Sequence, residues 1–257
     1  MSFLEFKQVS VAFGPYVAVE GVNLRLAPGE FVSLVGPTGC GKSTLLNVAA
    51  GLLAPTQGEV LLEGKPLRGL NPAAGYLFQQ DAILPWKTAL DNVALPLVFR
   101  GVGLREARER AQAWLEKVGL GRFPRYYPHQ LSGGMRKRVG LAQVLIANPK
   151  LLLMDEPFSA LDVQTRQLME NELLRLWQGD RKTVFFVTHD LEEAIALSDR
   201  VVVMSAGPRS RVIGEFPIPL PRPRDVAEIR LTPEFLRLHR EIWELLRGEV
   251  MRAHAGA

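Results

Sequence analysis

Cysteine is nearly absent from this chain: Cys40 is the only one in 257 residues, so no internal disulfide can form. That excludes the disulfide frameworks of small secreted domains and agrees with a reducing compartment. Also missing is any apolar run near the ~18–20 residues that a membrane-crossing helix needs. The opening Met1-Ser2-Phe3-Leu4-Glu5-Phe6-Lys7 lacks the basic and then apolar regions of a secretory signal, so a cytoplasmic protein is expected. Charge of one sign is scarce: 31 Lys and Arg against 27 Asp and Glu leave +4. The basic residues are scattered rather than gathered into a basic-aromatic stripe, and no nucleic acid partner is expected. No internal repeat or low-complexity segment occurs. What remains, 47% apolar and 23% charged residues, suits one large α/β domain or a core with a subdomain.

Residues 4–26 alternate apolar and polar positions around turns at Gly14-Pro15 and Pro28-Gly29, the pattern of an antiparallel β segment. Further strands are predicted over 59–63 and 74–78. From about residue 87 to 130 the pattern becomes helical, and Leu104, Ala107, Ala111, Leu115 and Val118 form an amphipathic stripe. The runs 150–156 and 183–189 are continuously apolar before polar ends, as in parallel strands covered on both faces. A helix over 163–177 separates them, and strand–helix–strand order predicts right-handed crossovers in a doubly wound sheet. Ligands of such sheets sit at the carboxyl ends of the strands. Near the end, Pro217, Pro219, Pro221 and Pro223 predict an extended connector. Thr232-Pro233-Glu234 then predicts a capped helix whose stripe of Phe235, Leu238, Ile242 and Leu245 (with Leu246) docks on the core or on a partner.

Three motifs carry chemistry. Gly36-Pro37-Thr38-Gly39-Cys40-Gly41-Lys42-Ser43-Thr44 fits G-x-x-x-x-G-K-[ST] between a strand pattern and a helix pattern. Its glycines let backbone N–H groups turn around phosphate oxygens, and the helix N-terminus adds about half a positive charge. Lys42 is expected to reach the β- and γ-phosphates of a nucleoside triphosphate, and the Ser43 hydroxyl to ligate Mg²⁺. Cys40 lies inside this loop, so a bulky thiol reagent is expected to block nucleotide binding. The second motif is Asp155-Glu156, closing an apolar strand: Asp155 as Mg²⁺ partner, Glu156 polarising the attacking water. The third, Leu131-Ser132-Gly133-Gly134-Met135, opens a helix with a hydroxyl and two glycines, a second anion-binding terminus. One terminus already serves the triphosphate; a head-to-tail dimer would give the other a phosphate to bind.

With these motifs in place, residues 3–214 resemble the ATP-binding subunit of an ATP-binding cassette (ABC) transporter. The resemblance implies a P-loop NTPase core with a parallel sheet, an N-terminal antiparallel β subdomain and an inserted α-helical subdomain. The expected division is an ATPase domain over 1–216, with the helical insert at about 87–148, and a connector and helical tail over 217–257. Carried over by motif, residues 36–44 are the Walker A loop, Leu131–Met135 the signature, and Asp155 and Glu156 the Walker B aspartate and the catalytic glutamate. Ser159-Ala160-Leu161-Asp162 resembles the D-loop, and His189 in Val187-Thr188-His189-Asp190 the switch histidine. Gln79 resembles the Q-loop glutamine that senses Mg²⁺ and water, with Gln80 as the register alternative. Phe13 resembles the aromatic that stacks on adenine, with Tyr16 as runner-up. Met135 stands where Gln is more usual, and Gln143 where Arg is frequent.

Within the family, Leu84-Pro85-Trp86-Lys87-Thr88, Met135-Arg136-Lys137-Arg138 and the tail resemble the nitrate/sulfonate/taurine importer branch. That implies a second ABC ATPase subunit, separate membrane permease subunits and, indirectly, a substrate-binding protein, with the chain on the cytoplasmic face of the membrane. Trp86 is expected either as a docking anchor for the permease or as core packing. The alternatives are an importer of another solute such as a thiamine-precursor pyrimidine, an exporter, or a non-transport ABC ATPase acting on nucleic acid or ribosomes.

Overall fold

The strands sort into two sheets in the computed structural model, which describes residues 2–80 and 82–255. Strands β1 (Leu4–Phe13) and β2 (Tyr16–Leu26) form a hairpin that β4 (Gln57–Leu62) and β5 (Lys65–Pro66) extend, in antiparallel order β2-β1-β4-β5. Alternation, shifted by one residue at an irregularity between Phe6 and Val9, puts Leu4, Phe6, Val9 and Val11 on the buried face. The second sheet runs β10-β9-β3-β8-β7-β6. Within it β3 (Phe31–Val35), β6 (Ala74–Leu77), β7 (Leu151–Asp155), β8 (Thr183–Val187) and β9 (Arg200–Met204) are parallel; β10 (Val212–Pro217) is an antiparallel edge. Every residue of β3 and β8 is buried, which is why those strands read as unbroken apolar runs.

Two layers cover this sheet. The antiparallel sheet and α1 (Lys42–Ala49) share one apolar cluster with Val32, Leu34, Leu153 and Phe185. On the other face, α4 (Gly133–Leu145), α5 (Val163–Gly179), α6 (Leu191–Leu197) and α8 (Pro233–Ala255) pack on Phe31, Leu152, Val184 and Val201. A third cluster joins α2 (Ala89–Phe99), α3 (Leu104–Lys117) and one side of α4. There Ala107, Ala111, Leu115 and Val118 are buried as the stripe predicts, whereas Leu104, the first residue of α3, is exposed.

From the last residue of β10 onward, the prolines at 217, 219, 221 and 223 fall on every second position. All four prolines are exposed; Ile218, Leu220, Arg222 and Arg224 alternate inward. Arg224 is buried and donates to the carbonyls of Ser198 (2.7 Å), Leu220 (2.9 Å) and Ala196 (3.1 Å). Arg222 bonds Asp199 and stacks 4.3 Å from the Trp177 ring centroid. A short α7 (Val226–Ile229) follows. At the head of α8, Thr232 Oγ1 accepts from Phe235 N at 3.3 Å with Pro233 in the first turn, and Phe235, Leu238, Ile242 and Leu246 dock on the core. No described helix is long and apolar enough to cross a membrane.

Candidate active site

The loop between β3 and α1 is shaped by glycine. Gly41 has φ +91°, and a Cβ there would lie 2.5 Å from Val19 Cγ1, so any other residue would be strained and would have to push the Val19 side chain aside. Lys42 is 6% exposed and donates from Nζ to the carbonyls of Gly36 (2.9 Å) and Pro37 (3.0 Å), tying the loop across its own mouth. Thr38, Gly39 and Ser43 are exposed. Cys40 corrects an expectation. Its side chain is fully buried in the cluster beneath the loop, where burial pushes the thiol pKa up, so it is shielded from bulky reagents and unreactive. Ser210 supports the loop from behind by donating to the Cys40 carbonyl.

The carboxyl ends of β7 and β8 bring the acidic and basic groups to this loop. Ser43 Oγ donates to Asp155 Oδ1 at 3.0 Å. Burial draws the Asp155 pKa up and Glu156 adds to the rise, opposed by Ser43 and Lys42. A hydroxyl beside a carboxylate is the hard-oxygen set that Mg²⁺ takes together with phosphate oxygens, so the residues present fit that ion. Among the described residues no group of three His, Cys, Asp or Glu side chains could hold a metal without such help. Glu156 sits at φ +42°, a left-handed conformation that costs a non-glycine residue about 1–2 kcal/mol. Its N–H still reaches Val187 O at 2.8 Å, while its side chain leaves the strand direction and meets His189. His189 Nδ1 donates to Glu156 Oε2 at 2.9 Å, which leaves Nε2 for another partner. Gln79 Nε2 donates to the same oxygen at 3.5 Å. Gln80 instead lines a small hollow with Lys137, Gly140 and Gln143.

Other candidate residues lie apart from this group. Ser132 caps α4 by accepting from Met135 N at 3.3 Å, so its hydroxyl hydrogen stays available. Leu131 is buried, and Gly133 faces Leu161. A Cβ on Gly134 would fall 2.6 Å from Thr165 Cγ2. Among the described residues no hydrogen bond joins 131–135 to 36–44. In the 159–162 loop, Ser159 Oγ donates to Glu156 O at 3.0 Å and Asp162 caps α5 through Thr165 N at 2.9 Å; Ala160 is exposed. Phe13 and Tyr16 pair across the tip of the β1–β2 hairpin, each about half exposed. Trp86 is 70% exposed, which sets aside the core-packing alternative.

Sequence reasoning missed Lys137, which is buried and donates to Gln79 O at 2.7 Å, joining α4 to the Gln79 segment. The signal was its place in register with Leu141 and Leu145 on the buried stripe of α4. It also missed the acidic pocket under His189. Burial pushes Glu193 up to about 8 and Glu170 up to about 7. Both bind their proton more tightly folded than unfolded. Their stabilising contribution is therefore full below about pH 4.5 and is lost as pH rises toward 7 and 8. Glu193→Gln, neutral at every pH, is expected to gain at least about 1 kcal/mol over wild type at pH 8 relative to pH 5. Urea midpoints at the two pH values check this, and an equal drop in both proteins would refute it.

Residues 19–159 match the family profile described as ABC transporter. The chain is 47% identical over 236 residues to an uncharacterized ABC transporter ATP-binding protein of Methanocaldococcus jannaschii, covering 92% of this chain and 86% of that protein. It is 42% identical over 250 residues to the nitrate import ATP-binding protein NrtD of Synechococcus elongatus, covering 95% and 91%. Among solved structures, a dimeric post-hydrolysis state of an ATP-binding cassette bound to ADP and Pi superposes with TM-score 0.73 at 36% identity, covering 84% of this chain and 98% of that one.

Proposed function

The chain belongs to the ABC transporter family as an ATP-hydrolysing subunit, and from that premise we propose that two copies close head to tail over two ATP molecules to power import of a small anionic solute. One observation carries the reading. Lys42, Ser43, Asp155, Glu156, Gln79 and His189 converge on one rim, while the capped N-terminus at Ser132 bonds none of them. Each chain thus holds a complete phosphate cradle and a spare phosphate-binding terminus.

In this reading the 36–44 backbone and Lys42 hold the phosphates, and Phe13 stacks on adenine, with Tyr16 beside it. Ser43, Asp155 and Gln79 would hold Mg²⁺, which neutralises charge on the β- and γ-phosphates when bound. Glu156 takes the proton of the attacking water. His189, held through Nδ1, presents Nε2 to the γ-phosphate, and the second copy's 131–135 segment closes the site. The 159–162 loop faces that copy. Exposed Trp86 offers the permease subunits an apolar anchor on the cytoplasmic face of the membrane. The nitrate, sulfonate or taurine class of solute is supported by the nitrate import relative, with a separate binding protein delivering it.

The test is reconstitution with neighbouring permease and binding-protein genes. ATP-dependent uptake of nitrate, a sulfonate or taurine into proteoliposomes is the expected result, abolished when this chain is left out. Retention of the chain on nucleic acid or ribosomes at physiological salt, without uptake, would overturn it.

A further inference from the structure

His189 is bracketed by two fixed residues. On one side, buried Thr188 donates from Oγ1 to Glu193 Oε2 and accepts from Asp190 N at 3.0 Å. On the other, Asp190 Oδ1 caps α6 by accepting from Glu192 N (2.9 Å) and Glu193 N (3.1 Å). The second Asp190 oxygen, Oδ2, takes Arg166 Nη1 from α5 at 3.1 Å. The same guanidinium donates through Nη2 to the carbonyl of Leu161 at 3.3 Å, inside the 159–162 loop.

These contacts close a ring. Glu156 bonds His189; His189 is joined by the chain to Asp190; Asp190 bonds Arg166; Arg166 bonds Leu161; and Ser159 of that same loop bonds back to Glu156 O. Glu170 and Glu193 are buried nearby, and Arg230 from the C-terminal segment pairs with Glu170 at 3.2 Å. Arg166 is the member whose two arms span separate elements, which only a fork of fixed geometry can do at once. A shift of the 159–162 loop is therefore passed to Asp190 and on to the Glu156–His189 pair.

We propose that Arg166 is a positioning residue for ATP hydrolysis, coupling the 159–162 loop to His189 through its simultaneous bonds to Leu161 O and Asp190. The inference rests on the roles given above to Glu156 and His189. It places a control on turnover in a side chain whose bonds go to Asp190 and Leu161 rather than to Lys42, Ser43, Asp155 or Glu156. That loop is exposed at Ala160 and Asp162, as the His189 side chain is, so a second copy pressing on the loop would move the ring.

Arg166→Lys tests this, since one ammonium keeps the charge beside Asp190 but cannot also hold Leu161. Steady-state ATPase and thermal melting of the purified chain are measured side by side with wild type and Glu156→Gln. The expected result is a kcat lowered between about 10- and 100-fold, with ATP KM within about twofold and the melting temperature unchanged. Wild-type kcat in Arg166→Lys would overturn the inference. So would a fall in kcat matched by a raised KM and a lowered melting temperature, the signature of a merely structural arginine. Normal turnover in Glu156→Gln would instead sink the underlying site reading.

Discussion

Glu156→Gln is expected to bind ATP with wild-type affinity, accumulate as a nucleotide-bound dimer and hydrolyse about 10²–10⁴-fold more slowly. The geometry separates the two effects. The Gly36–Lys42 cradle lies on another element, and the Ser43–Asp155 bond does not involve the Glu156 side chain, although the neutral amide no longer adds to the rise in the Asp155 pKa. The amide oxygen of Gln can still accept from His189 Nδ1, so the bond now 2.9 Å long survives and His189 keeps its orientation. Backbone strain at φ +42° is the same for either residue. What is lost is the carboxylate that would take a proton, and with it the step that would let the dimer open. Single-turnover hydrolysis and size-exclusion chromatography with ATP check both halves. Normal turnover would remove Glu156 from the catalytic role.

Why some of this was legible in the sequence and some was not follows from range. The 36–44 loop depends on glycines and a lysine within nine residues of one strand–helix junction, and Asp155-Glu156 on the apolar strand just before it; both are local patterns. The parallel strands declared themselves because burial on both faces forbids alternation. The tail stripe was legible as a helix, yet whether it met core or partner depended on α6, a segment 40 residues earlier. Cys40 misled because membership in an exposed loop says nothing of direction. With Gly39 and Gly41 both at positive φ, the side chain between them turns inward toward Gly36 and Met204. The Arg166 ring was invisible for a further reason. Its partners, Leu161 and Asp190, come together only when α5 and α6 pack, and no spacing rule records a carbonyl as a partner.

Lys42→Ala carries the other large expected effect, a loss of about 10²–10³-fold in ATPase kcat/KM, the usual result of removing one preorganised charge-stabilising donor. Its two bonds show how the residue works before ATP arrives. With Nζ held by Gly36 O and Pro37 O at 2.9 and 3.0 Å, the ammonium is buried yet satisfied, and it waits at the position where phosphate oxygens would replace the carbonyls. Losing charged bonds of this kind costs about 1.5–3 kcal/mol each where nothing replaces them, so a modest fall in melting temperature should accompany the kinetic defect. Unchanged steady-state ATPase would refute the phosphate role. The same variant also reports on the shared site. Ser132 is exposed, so Ser132→Arg is expected to fold, at a cost of about 1 kcal/mol for the lost cap, while blocking the terminus offered to the partner. Each variant alone should be nearly inactive. Mixed, they form some dimers in which an intact Lys42 cradle from one chain meets an intact 131–135 segment from the other, and ATPase activity should return. If each chain instead completes its own site, mixing two inactive proteins restores nothing, and the head-to-tail arrangement fails while the assignment of Lys42 stands.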